Sequence, residues 1–436
     1  MSRVLRGALW IGVFISVSVA PLVFAAIGFS GSGRGFATEF SVALGFVGLA
    51  LMGLEFALVA RFRAVAAPFG TDALVQFHRQ IGLIGLVFVL VHVALSAEWD
   101  MVLSLDPAST PWRVRIGAVS VAALVALIVT SLWRHRLRLS YEWWHLLHAV
   151  FAVVAVAAAL VHVLLVDYYI NSLWKQALWI AMSAAFVAVL VWVRIGKPLT
   201  LLRSPWTIER VTPERGETTT ITVRPEGHRG FQFDPGQYAW IVVDRSPFSL
   251  TQHPFSFSSS GEAEDEIDIS IKALGDFTNT VADLEPGARV YVDGPHGVFT
   301  PDAYQGPGYC LIAGGVGVTP MVSMLRAFAE RDERRPVVVF IANKDWDDAT
   351  FREELEEMTE RLDVKVVHTI SNPPPDWRGE TGRIDAEMLR RHLPPRSERW
   401  QYFVCGPNPM MDAMEVALVA IGVAPELVHT ERFDWV

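Results

Sequence analysis

Apolar and polar positions along this 436-residue chain follow two rhythms. Up to about residue 200 the apolar runs are long, each near the ~20 residues that cross a bilayer core. Six are predicted as spanning helices, around 8–29, 38–60, 77–96, 116–133, 143–166 and 173–193. Beyond 201 the runs shorten to "TTTITVRP", "YAWIVVD", "EIDISIKAL" and "RVYVDG", separated by Pro/Gly/Asp turns. That pattern predicts a small antiparallel β-barrel. From about 309 strands such as "YCLIAGG", "PVVVFIANK" and "QYFVCG" alternate with helical stretches such as "FREELEEMTERL". Alternation of this kind predicts a parallel α/β domain. The expected architecture is an α-helical membrane bundle over 1–200, a β-barrel over 201–305 and an α/β domain over 306–436. The hinge is expected at 197–206.

Charge sharpens the division. Residues 1–200 hold 14 Lys/Arg against 8 Asp/Glu, whereas the remainder holds 23 against 38. A basic, greasy half joined to an acidic, ordinary half reads as membrane domain plus soluble domain. Hydrophobic residues make up 52% and charged ones 19%, apolar for a soluble enzyme. Ten basic residues from Arg3 to Lys197 cluster on one side of the spans, which predicts a multi-pass protein of the cell membrane with both termini cytoplasmic. The leading "MSRVLRG" resembles the basic start of a signal peptide, but its apolar run is long for that role. Cys310 and Cys405 both fall in the soluble half, so no disulfide framework is implied. Loop 97–112 is acidic and is read as solvated, and no nucleic-acid partner is expected.

Inside the spans, four histidines stand out. His78 and His92 are fourteen residues apart, as are His148 and His162. Fourteen residues of helix rise ~21 Å and return to within ~40° of the starting face. Each pair therefore shares a helix face, one member near each end. Odd-numbered spans run in one direction, so His78 is expected at the depth of His148 and His92 at that of His162. Two facing imidazoles at each of two depths suit two b-type haems with bis-histidine ligation. His145 lies one turn before His148 and is expected at a propionate or in packing. Glu55 and Arg79 are read as an interfacial pair, with contact to a haem carboxylate as the alternative.

The soluble half adds motifs in a fixed order: "HPFSFSSS", "IKALGDFT", "DGPHG", "GGVGVTP" and "VCGPNPMM". The glycine-rich loop follows a strand and opens a helix, where backbone amides can meet a pyrophosphate. With these motifs the soluble half resembles the ferredoxin–NADP reductase family. The whole chain resembles the transmembrane ferric reductase and NADPH oxidase superfamily.

That resemblance implies roles for particular residues. His253, Pro254, Phe255 and Ser256 would hold FAD, with His253 standing where soluble relatives usually have Arg. Lys272, Gly275, Phe277 and Thr278 match the second flavin segment, where a cation and a hydroxyl suit a pyrophosphate. Gly314, Gly315, Gly317, Thr319 and Pro320 match the nicotinamide-nucleotide loop. Cys405, Gly406 and Pro407 match the segment beside the nicotinamide ring. Phe433, or alternatively Trp435, would cover the flavin. Lys344 and Arg383 are candidates for reading the 2′-phosphate of NADPH, although the acidic "DWDD" beside Lys344 would suit the ribose diol of NADH. The implied activity carries electrons from cytoplasmic NAD(P)H through FAD and two haems to an external acceptor, dioxygen first and ferric iron second.

Overall fold

The computed structural model describes residues 3–96 and 110–432. They form two compact units, Met1–Pro198 and Leu199–Val436. Most of loop 97–112, and both Phe433 and Trp435, lie outside the described residues.

The first unit holds six helices long and apolar enough to cross a membrane. They are α1 (Arg3–Ala26), α2 (Phe36–Leu58), α3 (Thr71–Leu95), α4 (Trp112–Leu132), α5 (Tyr141–Val166) and α6 (Leu173–Val191). Five begin earlier than the apolar runs suggest, α1 and α3 by the most. Helix α1 starts at Arg3, whose Nε donates to the Pro68 carbonyl at 2.9 Å and so holds a polar first turn. Helix α3 starts at Thr71, which puts His78 two turns inside the helix. Apolar runs mark the oily part of a span, but a helix continues into the polar interface. Helix α5 is closed by Asp167 in the left-handed conformation, and α6 runs into a π-helical turn at Trp192–Gly196.

Packing in this unit relies on small residues, as expected where lipid supplies no hydrophobic drive between helices. Gly48 of α2 lies against Val89 of α3, and Gly53 of α2 against Phe186 of α6. One buried cluster joins Phe46 and Leu49 of α2 to Val156 of α5 and Trp179 of α6. Another joins Val89, Ala123, Leu124 and Ala155.

The second unit holds two sheets. The first is six-stranded: β1 (Trp206–Glu214), β2 (Thr218–Pro225), β3 (Tyr238–Val243), β4 (His253–Ser256), β5 (Ile267–Lys272) and β6 (Arg289–His296). Its order is β4-β3-β6-β1-β2-β5 and its pairings are antiparallel. A single bridge between Phe257 and Ile269 joins the two edges, curling the sheet into a half-barrel around Trp206, Ile221 and Phe257.

The second sheet is parallel: β7 (Tyr309–Gly314), β8 (Val337–Asn343), β9 (Val364–Ile370), β10 (Glu380–Thr381), β11 (Gln401–Cys405) and β12 (Val428–Glu431), in the order β10-β9-β8-β7-β11-β12. Strand β7 is fully buried, as a strand covered on both faces should be. Helix α7 (Val318–Glu330) follows β7, and α8 (Arg352–Arg361), α9 (Ala386–His392) and α10 (Asn408–Ala420) complete the layers. Strand order reverses between β7 and β11, the position where doubly wound sheets open a ligand crevice.

Candidate functional site

In the membrane unit the four histidines meet in two layers. The ring centroids of His78 and His148 are 6.1 Å apart, and those of His92 and His162 are 6.2 Å apart. A metal–imidazole nitrogen bond is about 2 Å, and the centroid of a five-membered ring lies about 1 Å behind that nitrogen. Two imidazoles on one iron therefore place their centroids about 6 Å apart. Among the described residues no group of three or more His, Cys, Asp or Glu could hold a metal ion. Two imidazoles do suffice for haem, whose porphyrin supplies the other four nitrogens.

Hydrogen bonding points the same way. His92 Nδ1 donates to the Ser41 carbonyl at 2.9 Å, and His162 Nδ1 to the Arg113 carbonyl at 2.7 Å. His148 Nδ1 lies 3.1 Å from the Ser131 hydroxyl, which itself donates to the Leu127 carbonyl at 2.8 Å and so accepts from the ring. His78 Nδ1 lies against the Glu55 carboxylate. For His92, His162 and His148 the partner is an acceptor, so those three rings carry their proton on Nδ1. The Nε2 lone pair is left free to ligate a metal. Acceptors behind a ligating imidazole fix the ring and raise its basicity.

The supports come from two antiparallel hairpins. Helix α2 supplies Ser41 and Glu55 to the histidines of α3, and α4 supplies Arg113 and Ser131 to those of α5. In each hairpin a glycine four residues after the accepting carbonyl makes room for the imidazole of His92 or His162. A Cβ on Gly45 would stand 3.1 Å from His92 Nδ1, and one on Gly117 would stand 2.9 Å from His162 Nδ1. The sequence reading missed Gly45, Gly117, Ser41 and Ser131. The available signal was that Ser41 and Glu55 repeat the fourteen-residue spacing of the histidines they face. It also paired Glu55 with Arg79, whereas the carboxylate meets His78. Burial explains the difference, because a carboxylate inside the bundle takes the donor within its own layer. His145 Nε2 accepts from the Arg194 guanidinium, whose placement follows the π-helical turn.

In the soluble unit, β4 carries His253, Pro254, Phe255 and Ser256, with Pro254 and Ser256 buried. The His253 imidazole stacks on the Phe277 ring at 4.2 Å with an interplanar angle of 2°. Two residues predicted for separate flavin segments are thereby joined. Lys272 ends β5 at the mouth of this loop. The Thr278 hydroxyl accepts from the amides of Leu274 and Gly275, both at 2.8 Å, so it shapes the 274–278 turn. Those amides are consequently turned inward toward Thr278.

The nucleotide loop and the Cys405 segment come together at the strand-order reversal. A Cβ on Gly317 would stand 2.3 Å from the Cys405 carbonyl, so the two backbones meet in a way only glycine permits. Gly314 approaches Pro407 and Met410 across the same crevice. Thr319, at the start of α7, keeps a buried hydroxyl with no hydrogen-bond partner among the described residues. An orphan hydroxyl beside a glycine-rich turn is the kind of group a bound nucleotide satisfies. Helix α7 is tied to the half-barrel by Ser323, which donates to the Ser259 carbonyl at 2.7 Å, and by Arg326, which reaches the Ser258 carbonyl at 3.0 Å. Lys344 follows β8 and Arg383 follows β10, so both are exposed at the carboxyl end of the sheet with β9 between them.

Cys405 is opposite Glu431 in the β11–β12 pairing, and both side chains are buried. Burial first, and Glu431 second, push the Cys405 thiol well above its ordinary range. It is therefore a neutral, shape-defining thiol rather than a nucleophile. Glu431 also approaches Gly297 at the end of β6, bringing it to the seam of the two sheets. Sequence reading missed Glu431, because only strand pairing brings it to Cys405.

Known proteins match this layout domain by domain. Residues 44–159 match the family model of a ferric reductase like transmembrane component, 207–300 an FAD-binding domain, and 311–415 an oxidoreductase NAD-binding domain. The chain belongs to the ferric reductase and NADPH oxidase superfamily. Six helices long and apolar enough to span a membrane thus stand with matches to an FAD-binding and an oxidoreductase NAD-binding domain. NADH-cytochrome b5 reductase 1 of Aspergillus terreus is 31% identical over 192 residues, 42% of this chain and 64% of the relative. The flavohemoprotein of Bacillus subtilis is 29% identical over 237 residues, 52% of this chain and 59% of that one. This superfamily member thus spans roughly three fifths of the length of the curated relatives it matches. A solved flavohemoglobin from Malassezia yamatoensis has a TM-score of 0.50 at 18% identity, covering 92% of this chain and 99% of that one, a likeness of fold alone.

Proposed function

We propose that this membrane oxidoreductase is a two-haem electron relay, carrying reducing equivalents from cytoplasmic NAD(P)H through FAD to an acceptor on the opposite face. One observation carries the reading: two histidine pairs at two depths, at 6.1 and 6.2 Å, with three Nδ1 atoms bonded to acceptors and that of His78 against the Glu55 carboxyl. When bound, FAD links two-electron to one-electron chemistry and haem iron carries single electrons. The residues do the rest. His78 and His148 hold the inner haem, and His92 and His162 the outer one. His253, stacked on Phe277, Ser256 and Lys272 hold the flavin and its pyrophosphate arm. The Gly314–Gly317 loop and Thr319 receive the nucleotide's phosphates, and the segment Cys405–Pro407 lies beside the nicotinamide ring. The clustering of Lys/Arg on one side of the spans supports cytoplasmic termini.

Dioxygen, giving superoxide, is the leading acceptor. Ferric iron is the second reading, favoured by the match to a ferric reductase like transmembrane component. Purified protein should show a b-type reduced-minus-oxidised spectrum with two haems per chain. In vesicles, superoxide and Fe(II) would then be measured side by side with NADPH and with NADH. Absence of a b-type signal overturns the relay, and Fe(II) production without superoxide reverses the order of acceptors.

A further inference from the structure

The two haem layers are alike in ligand type and ring separation, yet they differ in what holds their Nδ1 atoms. Both outer ligands donate to backbone carbonyls, of Ser41 and Arg113. In the inner layer His148 meets a hydroxyl and His78 meets a carboxylate. Glu55 is therefore the one carboxyl group described against the four rings. Its side chain is 13% exposed and that of His78 is 22%, within a span.

Resting on the relay reading above, we propose that Glu55 tunes the direction of electron flow, holding the reduction potential of the inner haem below that of the outer one. A hydrogen bond to an ionised acceptor is roughly twice as strong as one between neutral groups. The carboxylate draws the Nδ1 proton toward itself and pushes electron density onto Nε2. A more electron-rich axial ligand stabilises iron(III) over iron(II), and second-shell hydrogen bonding is an established lever on haem potential. Weak screening inside the bundle keeps the effect local and strong. The transfer it favours is one electron: inner iron(II) is oxidised, outer iron(III) is reduced, and no proton moves. A carboxylate within a span is expensive and marks function by default. Here it sets apart two layers alike in ligand type and ring separation.

The experiment is a redox titration of the purified holoenzyme in nanodiscs, followed by haem absorbance. It is run on the wild type, on His162→Leu to isolate the inner haem, and on both backgrounds carrying Glu55→Gln. We expect Glu55→Gln to raise the inner midpoint by at least a tenfold change in electron distribution, about 59 mV for a one-electron couple. The outer midpoint should stay where it was, and Glu55→Asp should restore most of the difference. Ser131→Asp, which offers a carboxylate to the other inner ligand, should lower the inner midpoint. If Glu55→Gln is haem-depleted, the Glu55→Asp and Ser131→Asp titrations decide. Full haem content with unmoved midpoints in all three variants overturns the proposal while leaving the relay intact. A wild type without haem overturns the relay itself.

Discussion

Gly117→Ala isolates the cradle behind His162, the proposed outer haem ligand. The new methyl would stand 2.9 Å from His162 Nδ1, whereas carbon atoms in ordinary contact are ~3.5–4.0 Å apart. The ring is pinned by its 2.7 Å bond to the Arg113 carbonyl and has little freedom to retreat. It must shift by roughly half an ångström or lose that bond. Overpacking costs about 1–3 kcal/mol and a neutral hydrogen bond contributes about 1 kcal/mol. A net penalty of about 2 kcal/mol weakens haem binding at the outer layer roughly thirtyfold. That falls within the ~10–100-fold usual for second-shell changes at metal sites. The assay is haemin titration of apoprotein in nanodiscs, with haem-to-protein ratio read from the Soret band and flavin content as the folding control. One of two binding phases should weaken while the other stays. Gly12→Ala, on α1 with nothing within 4 Å of its Cβ, should change neither. If Gly117→Ala binds both haems with wild-type affinity and spectrum, the cradle argument fails.

Four further outcomes are expected. His162→Leu should retain about half the haem and lose external acceptor reduction, whereas His148→Leu should block NAD(P)H reduction of any remaining haem; flavin reduction persists in both. Full haem content and full acceptor reduction in His162→Leu would show that His92 and His162 are wrongly paired. Lys344→Ala and Arg383→Ala should raise KM for NADPH more than for NADH, by about 1.5–3 kcal/mol for a lost charge-assisted contact; equal effects on both nucleotides count against a 2′-phosphate role. Flavin-stripped protein should recover activity with FAD but not FMN, and Lys272→Ala should weaken FAD selectively, as measured by fluorescence titration; equal recovery with either flavin refutes a pyrophosphate site. Cys310 and Cys405 are 0% and 4% exposed, and burial pushes both thiols up; neither should react with a thiol reagent at neutral pH until the protein is denatured. Rapid modification of native protein would contradict the burial.

The sequence by itself determined what depends on period and order. Long apolar runs required six helices, because backbone polar groups in lipid must be satisfied within each segment. The switch to short β-rich runs, and then to alternating strands and helices, marked the half-barrel and the parallel sheet. The fourteen-residue spacing put each histidine pair on one helix face, since helical geometry is local. Local order could not say what stands behind each ring. The choice of Ser41, Arg113, Ser131 and Glu55 as Nδ1 partners depends on which spans form hairpins and at what height they cross. Gly45 and Gly117 look like ordinary small residues of greasy helices until a neighbouring imidazole is seen to need their missing Cβ atoms. Likewise the stacking of His253 on Phe277 and the pairing of Cys405 with Glu431 join residues more than twenty positions apart. Contacts of that kind exist only once strands have paired, and chain packing is what brought them together.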